Sequence, residues 1–190
     1  MRVNPCRVLA IFLLAGMFGL AACAPGANLP PLPQTSSSDY QLGAGDQVRI
    51  ITFGDEQLTG EFRVKDDGTI ALPLLGPVKA SGQTPGQLAS AITADLRSKD
   101  LYKDPSVSVE VIAYRPVFVL GEVNRPGQYP YQPGMTVVTA AAVAGGFTYR
   151  AVEDTASIVR MINGKSVEGR AGRGTEVRPG DVITIYERSF

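Results

Sequence analysis

The residues that could do chemistry in this sequence are three adjacent acidic pairs, Asp55-Glu56, Asp66-Asp67 and Glu153-Asp154. Two carboxyl groups roughly 5 to 9.5 Å apart can hydrolyse a glycosidic bond. Each pair, however, falls in a stretch that reads as turn or loop, where Asp is recruited to hydrogen-bond the backbone. Solvated turn residues are the expected reading. The Gly-rich stretches GAGD (43–46) and GRAGRG (169–174) lack the spacing of a Walker loop or a dinucleotide fingerprint. The sequence contains no His, which removes Ser-His-Asp triads, Cys-His pairs and His-ligated zinc. Arg160, Lys165, Arg170, Arg173 and Arg178 cluster late in the chain, but Glu168, Glu176 and Asp181 are interspersed, which predicts a mixed solvated surface. No catalytic residue, metal site or cofactor site is expected. The work left is binding, assembly or guiding something through.

The elements that must position any such site begin with a leader. Arg2 and Arg7 precede an apolar run from Val8 to Ala22. That run is shorter than the roughly 20 apolar residues a membrane span needs, and prolines follow it, so residues 1–22 read as a cleaved signal peptide. The cut site Leu20-Ala21-Ala22-Cys23 resembles the bacterial lipobox. The resemblance implies that Cys23 is acylated and becomes the first mature residue. A single chain binds a bilayer marginally, whereas two or more anchor stably. Cys6 lies in the leader, so the mature chain has no cysteine pair to oxidise. Without Arg2 and Arg7 the chain carries 16 basic against 18 acidic residues, which gives no reason to expect a nucleic-acid partner.

Residues 23–38 are rich in Pro and Ser and read as a stiff tether that holds a folded body away from the lipid surface. A first folded region is expected over 39–114. QVRIIT (47–52) is a strand, Asp67-Gly68 marks a hairpin, and Pro73 ends its second strand or puts it at an edge. TPGQLASAITADLRSK (84–99) is the clearest helix, with Thr84 as N-cap, Pro85 at the first position and Leu88, Ile92 and Leu96 on one stripe. SVSVEVI (106–112) alternates as a half-buried strand. A second region is expected over 115–190: a strand at 117–123, a Pro/Gly-rich connection, a short helix capped by Thr136, a hairpin turning at Asn163-Gly164 and a closing strand at 178–186. The order predicts an α+β fold of two small mixed-sheet domains. Gly-Asp precedes a strand in both GAGDQVRII and VRPGDVITI, which reads as a shared turn device.

The stretches YQLGAGDQVRI, VKDDGTIALPLLGPVKASGQT, YKDPSVSVEV and VLGEVNRPGQY…AAAVAGG, in that order, resemble the bacterial outer-membrane polysaccharide export proteins. The first region is similar to their polysaccharide export sequence domain and the second to a soluble-ligand-binding β-grasp (SLBB) domain. By resemblance the fold-setting residues are Gly43, Gly45, Asp46, Asp67, Gly68, Pro73, Gly76, Asp104, Pro105, Gly121, Pro126, Gly127, Gly145 and Gly146. The family implies a non-catalytic, lipid-anchored homo-oligomeric ring on the periplasmic face of a Gram-negative outer membrane. Its implied partners are the exported polysaccharide, capsule or exopolysaccharide, and an inner-membrane polysaccharide co-polymerase. Long members carry a C-terminal pore helix, and no segment of suitable length and period follows the closing strand, so a short form is expected. Tyr114, Arg115, Arg125 and Tyr129, in loops flanking the expected junction, are the candidates for polymer contact, because aromatic rings and Arg suit sugar faces and acidic polymers. The alternatives are a monomeric carbohydrate-binding or scaffolding envelope lipoprotein, and an envelope glycosidase using the acidic pairs.

Overall fold

The computed structural model describes residues 26–33, 40–162 and 164–188. The signal peptide, Cys23 and the expected hairpin residue Asn163 lie outside them. Among the described residues two helices and ten strands build three sheets, an α+β fold.

The first sheet has strand order β2-β1-β5. Strand β1 (Gln47–Thr52) sends Val48 and Ile50 into the core and pairs antiparallel with both β2 (Asp55–Arg63) and β5 (Val107–Ala113). Helix α1 (Pro85–Ser98) packs against β5. Thr84 Oγ1 accepts from the Gln87 amide at 3.2 Å while Gln87 Oε1 accepts from the Thr84 amide at 2.9 Å. This reciprocal cap satisfies two donors that a helix start leaves open. Leu88, Ile92 and Leu96, one turn apart, are the helix's buried residues.

The hairpin expected at Asp67-Gly68 is not a strand pair. Strand β2 pairs with β1 around Phe53-Gly54, and β3 (Thr69–Leu72) pairs with β4 (Gly76–Lys79) around Pro73–Leu75. Asp67 Oδ1 instead accepts from the Thr69 amide and hydroxyl at 2.9 and 2.7 Å, and the turn passes the chain from one sheet to the next. Ile70 stands opposite Val78 in this pairing, and both lie with Leu72 in the first core.

The second core lies under a five-stranded sheet of order β7-β6-β10-β8-β9. Strands β6 (Val117–Gly121) and β10 (Val182–Glu187) are parallel neighbours, and β8 (Ala151–Ile162) with β9 (Lys165–Gly172) forms a long hairpin. Strand β7 (Gly127–Tyr129) pairs with β6. Helix α2 (Val137–Val143), capped by Thr136, turns Val137, Ala140 and Ala141 inward. The Glu153-Asp154 pair, expected in a loop, lies within β8. Arg160 of β8, expected on a solvated surface, is 6% exposed.

The tether expectation also changes. Residues 26–33 lie against the second sheet. Pro30 O accepts from the Arg170 amide at 2.8 Å, and the Leu32 amide donates to Arg170 O at 3.0 Å. Leu32 is 7% exposed and belongs to the second core. Burying a Leu side chain stabilises by about 1.5–3 kcal/mol and offsets part of the cost of ordering the segment, a cost that its three prolines lower.

Gly121 ends β6 with φ +82°, and a Cβ there would stand 2.1 Å from Ile185 O. Gly121→Ala is therefore expected to lower stability by at least about 2 kcal/mol, read as a reduced midpoint in urea unfolding.

Candidate functional site at the junction

Arg115 stands where the two cores meet, and both Gly-Asp turns close on it. In the first turn Asp46 Oδ2 accepts from the Gly43 amide at 2.8 Å. In the second, Asp181 Oδ2 accepts from the Arg178 amide at 2.7 Å. These are the same three-residue device, which accounts physically for the echo seen in the sequence. The Arg115 amide donates to Asp46 Oδ1 at 2.8 Å and its Nη1 to Asp46 Oδ2 at 3.0 Å. Its Nε donates across the junction to Pro179 O at 3.1 Å. Space for this comes from missing side chains. A Cβ on Gly43 would lie 2.2 Å from Arg115 Nη1, and one on Gly180 2.8 Å from Nε.

Asp46 is fully buried and takes a fourth hydrogen bond from the Tyr40 hydroxyl. Burial first, and then this bond to a carboxylate, push the Tyr40 phenol well above its ordinary value. The Tyr40 ring meets Tyr114 edge-on at 5.1 Å, and Tyr114 meets Tyr131 edge-on at 5.3 Å. Arg115 Cζ lies 5.7 Å from the Tyr40 centroid, a cation over an aromatic face. Burial also raises Tyr131.

Beside this row opens a cleft of about 290 Å³, lined among others by Tyr40, Tyr114, Tyr131, Glu176, Arg178 and Pro179. Burial, and secondarily the nearby Arg160, lower the Arg178 guanidinium below its usual value. Arg160 itself forms a buried fork on Asp181, with Nε to Oδ1 at 3.0 Å and Nη2 to Oδ2 at 2.6 Å. Its Nη2 also reaches Glu176 O at 2.9 Å, so the buried pair braces one wall of the cleft.

Of the four residues expected to contact polymer, Tyr114 and Arg115 come together here. Arg125 and Tyr129 do not. Arg125 lies on the β6–β7 connection and Tyr129 ends β7; the Tyr129 hydroxyl donates to Arg125 O and the Arg125 amide to Ala144 O. The sequence reading missed Tyr40, Tyr131 and the Arg160–Asp181 fork. Of these only Asp181 had a sequence signal, as the second Gly-Asp.

The remaining fold-setting residues are spread over both regions. Gly43, Gly45 and Asp46 precede β1, and Asp67 and Gly68 join β2 to β3. Pro73 and Gly76 flank the β3–β4 turn. Pro105 precedes β5 with Asp104, whose carboxylate meets Arg97 at 2.9 Å. Pro126 lies between β6 and β7, Gly127 opens β7, and Gly145 and Gly146 follow α2. The Asn124 side-chain amide donates to Gly145 O at 2.8 Å, which ties the β6–β7 connection to the helix end. The acidic pairs are dispersed: Asp55 caps the Gln57 amide at 2.7 Å, Asp67 closes its own turn, and Asp154 lies in β8. Among the described residues no three His, Cys, Asp or Glu side chains gather to hold a metal ion.

Residues 34–112 match the family model for polysaccharide biosynthesis/export proteins, and residues 116–171 match the SLBB domain. The chain belongs to the bacterial outer-membrane polysaccharide export family. The exopolysaccharide production protein ExoF of Rhizobium meliloti is 34% identical over 66% of this chain and 31% of its own length. The EPS I polysaccharide export outer membrane protein EpsA of Ralstonia nicotianae is 30% identical over 85% of this chain and 51% of its own. The polysialic acid transport protein KpsD of Escherichia coli is 31% identical over 57% of this chain and 20% of its own. This chain thus spans between about a fifth and about half of the length of these relatives. The family is one of export proteins, not of catalysts.

Asp46→Asn leaves an amide facing donors that a carboxylate had satisfied. A loss of about 2–4 kcal/mol is expected in urea unfolding, against less than about 1 kcal/mol for Asp104→Asn in the exposed Arg97 pair. Tyr40 should stay protonated when exposed tyrosines ionise around pH 10, a lag visible at 295 nm. Its raised folded value makes its stabilisation complete below pH 10 and progressively lost as pH climbs further.

Proposed function

We propose that this chain is a non-catalytic, lipid-anchored periplasmic component of an outer-membrane polysaccharide export machine, assembled as a homo-oligomeric ring. The observation that carries the reading is that two export-family modules meet at one polar junction. Arg115 donates to Asp46 on one side and to Pro179 on the other, so the pair can act as a single rigid subunit. The relatives support export rather than turnover: ExoF is named for exopolysaccharide production and EpsA for export at the outer membrane. A ring follows if the same two surfaces meet in each successive copy and the rotation closes. Acyl groups on Cys23 would hold it on the periplasmic face. An inner-membrane polysaccharide co-polymerase would deliver the chain to be exported.

Polymer contact is assigned to the cleft beside Tyr114. Tyr131, Glu176 and Arg178 line the same space and combine aromatic surface with charge, which suits sugars. Arg115 is assigned a holding role, since its Nε and Nη1 are committed to protein acceptors.

Deletion of the chain is expected to abolish surface polysaccharide while repeat-unit synthesis continues inside the cell. Normal surface polymer in a clean deletion would refute the reading. Mass measurement of the acylated protein in mild detergent should show multiples of one subunit, whereas a uniform monomer would favour a scaffolding lipoprotein.

A further inference from the structure

The cleft at the junction is lined by one charge of each sign. Glu176 and Arg178 both border it, beside the rings of Tyr114 and Tyr131. Two further arginines stand close by, and each is already matched by a carboxylate. Arg115 bonds Asp46 through Nη1, and Arg160 forks on Asp181. Arg178 feels the attraction of both Asp181 and Glu176, and its amide bonds Asp181 Oδ2. Three guanidinium groups thus stand against three carboxylates, Asp46, Asp181 and Glu176, and the site is neutral as a whole.

Neutrality is a constraint here because these groups are partly out of water. Burial is the first cause of the lowered Arg178 value, so charges around it are weakly screened. A sugar carboxylate entering the cleft would bring a fourth negative charge with no fourth cation to meet it, and Glu176 would face it. An uncharged pyranose meets no such cost. Its C–H face can lie on a tyrosine ring, its hydroxyls can donate to the Glu176 carboxylate, and its oxygens can accept from Arg178.

Tyr114 is equipped for that contact. Tyr40 gives its hydroxyl to Asp46, whereas the Tyr114 hydroxyl makes no hydrogen bond among the described residues. The Tyr114 ring is held edge-on by Tyr40 at 5.1 Å and by Tyr131 at 5.3 Å, so its hydroxyl is carried on a fixed ring. The cleft volume of about 290 Å³ lies at the floor of the roughly 300–1,000 Å³ range of small-molecule sites, room for a sugar unit or two rather than a long stretch of chain. We propose that the junction cleft is selective for uncharged sugars. It takes a neutral pyranose unit of the exported chain, with Tyr114 supplying ring and hydroxyl, and it disfavours units that carry a carboxylate. The proposal rests on the assignment of polymer contact to this cleft.

The test uses the full chain in mild detergent with two probes, cellotetraose and the tetrasaccharide of glucuronic acid in the same linkage. Saturation-transfer NMR titrations at millimolar sugar read both affinities. Cellotetraose should bind at least about tenfold more tightly than the acid, and added salt should leave its affinity unchanged. Tyr114→Phe should weaken cellotetraose about two- to tenfold without moving the urea midpoint, since that hydroxyl has no described protein partner to lose. Glu176→Gln removes the opposed charge and should strengthen binding of the acid at least about threefold. Equal or tighter binding of the acid to the native chain, still weakened by Tyr114→Phe, would overturn the selectivity and leave polymer contact standing. Saturation transfer to neither sugar, or affinities indifferent to Tyr114→Phe and Glu176→Gln, would overturn polymer contact at the cleft and the selectivity with it.

Discussion

The structure turns on one guanidinium. Arg115 lies on the short link between β5, which ends the first region, and β6, which opens the second. Its partners hold it on both sides: the buried Asp46 carboxylate from the first turn and Pro179 O from the second. An isolated buried carboxylate would be costly, and Asp46 is stabilised by accepting four hydrogen bonds. A lysine at this position could supply the charge but not a planar fork reaching two acceptors in different directions. Tyr40 adds its hydroxyl to Asp46 and its ring face to Arg115, and Tyr114 packs edge-on against that ring.

Local signals were legible in the sequence and long-range ones were not. Thr84, Pro85 and the Leu88/Ile92/Leu96 stripe announce α1 because capping and helical period are encoded within a dozen residues. The alternation of Val107, Val109 and Val111 announces β5 for the same reason. Asp67-Gly68 misled because a turn signal states that the chain reverses, not which strand it will pair with. In the fold β3 pairs with β4, which sets Ile70 opposite Val78 in the first core. Glu153-Asp154 looked like a loop because a polar pair breaks the apolar pattern, yet the long hairpin of β8 and β9 carries them in its solvated part. Arg160 looked solvated because its buried partner, Asp181, is 21 residues away.

The site shows the same division. Tyr114 and Arg115 were visible as candidates because they border the junction. Tyr40 and Tyr131 join them only through the fold, one from before β1 and one from after β7. The Gly-Asp echo was correctly read as turn chemistry, but its second meaning needed three dimensions: Arg115 bonds the Asp46 carboxylate of the first turn and the Pro179 carbonyl of the second, while Asp181 holds Arg160. Pro-rich composition over 23–38 was read as a stiff tether. What composition could not reveal was that Leu32 has a core to enter.

The parallel pairing of β6 with β10 has a consequence for how the protein matures. Every strand contact of the first sheet is complete once residues 47–113 are available. The second sheet lacks its central member until residues 182–187 arrive, and Phe118 must wait for Val182, some sixty residues downstream. Loop closure over that distance is slow compared with local hairpins. A chain threaded amino end first across a membrane would therefore have its first region assembled while Arg115 still lacks Pro179. The two halves can lock only once the β10 segment and the Pro179 carbonyl before it are present, because that carbonyl is the second acceptor of Arg115.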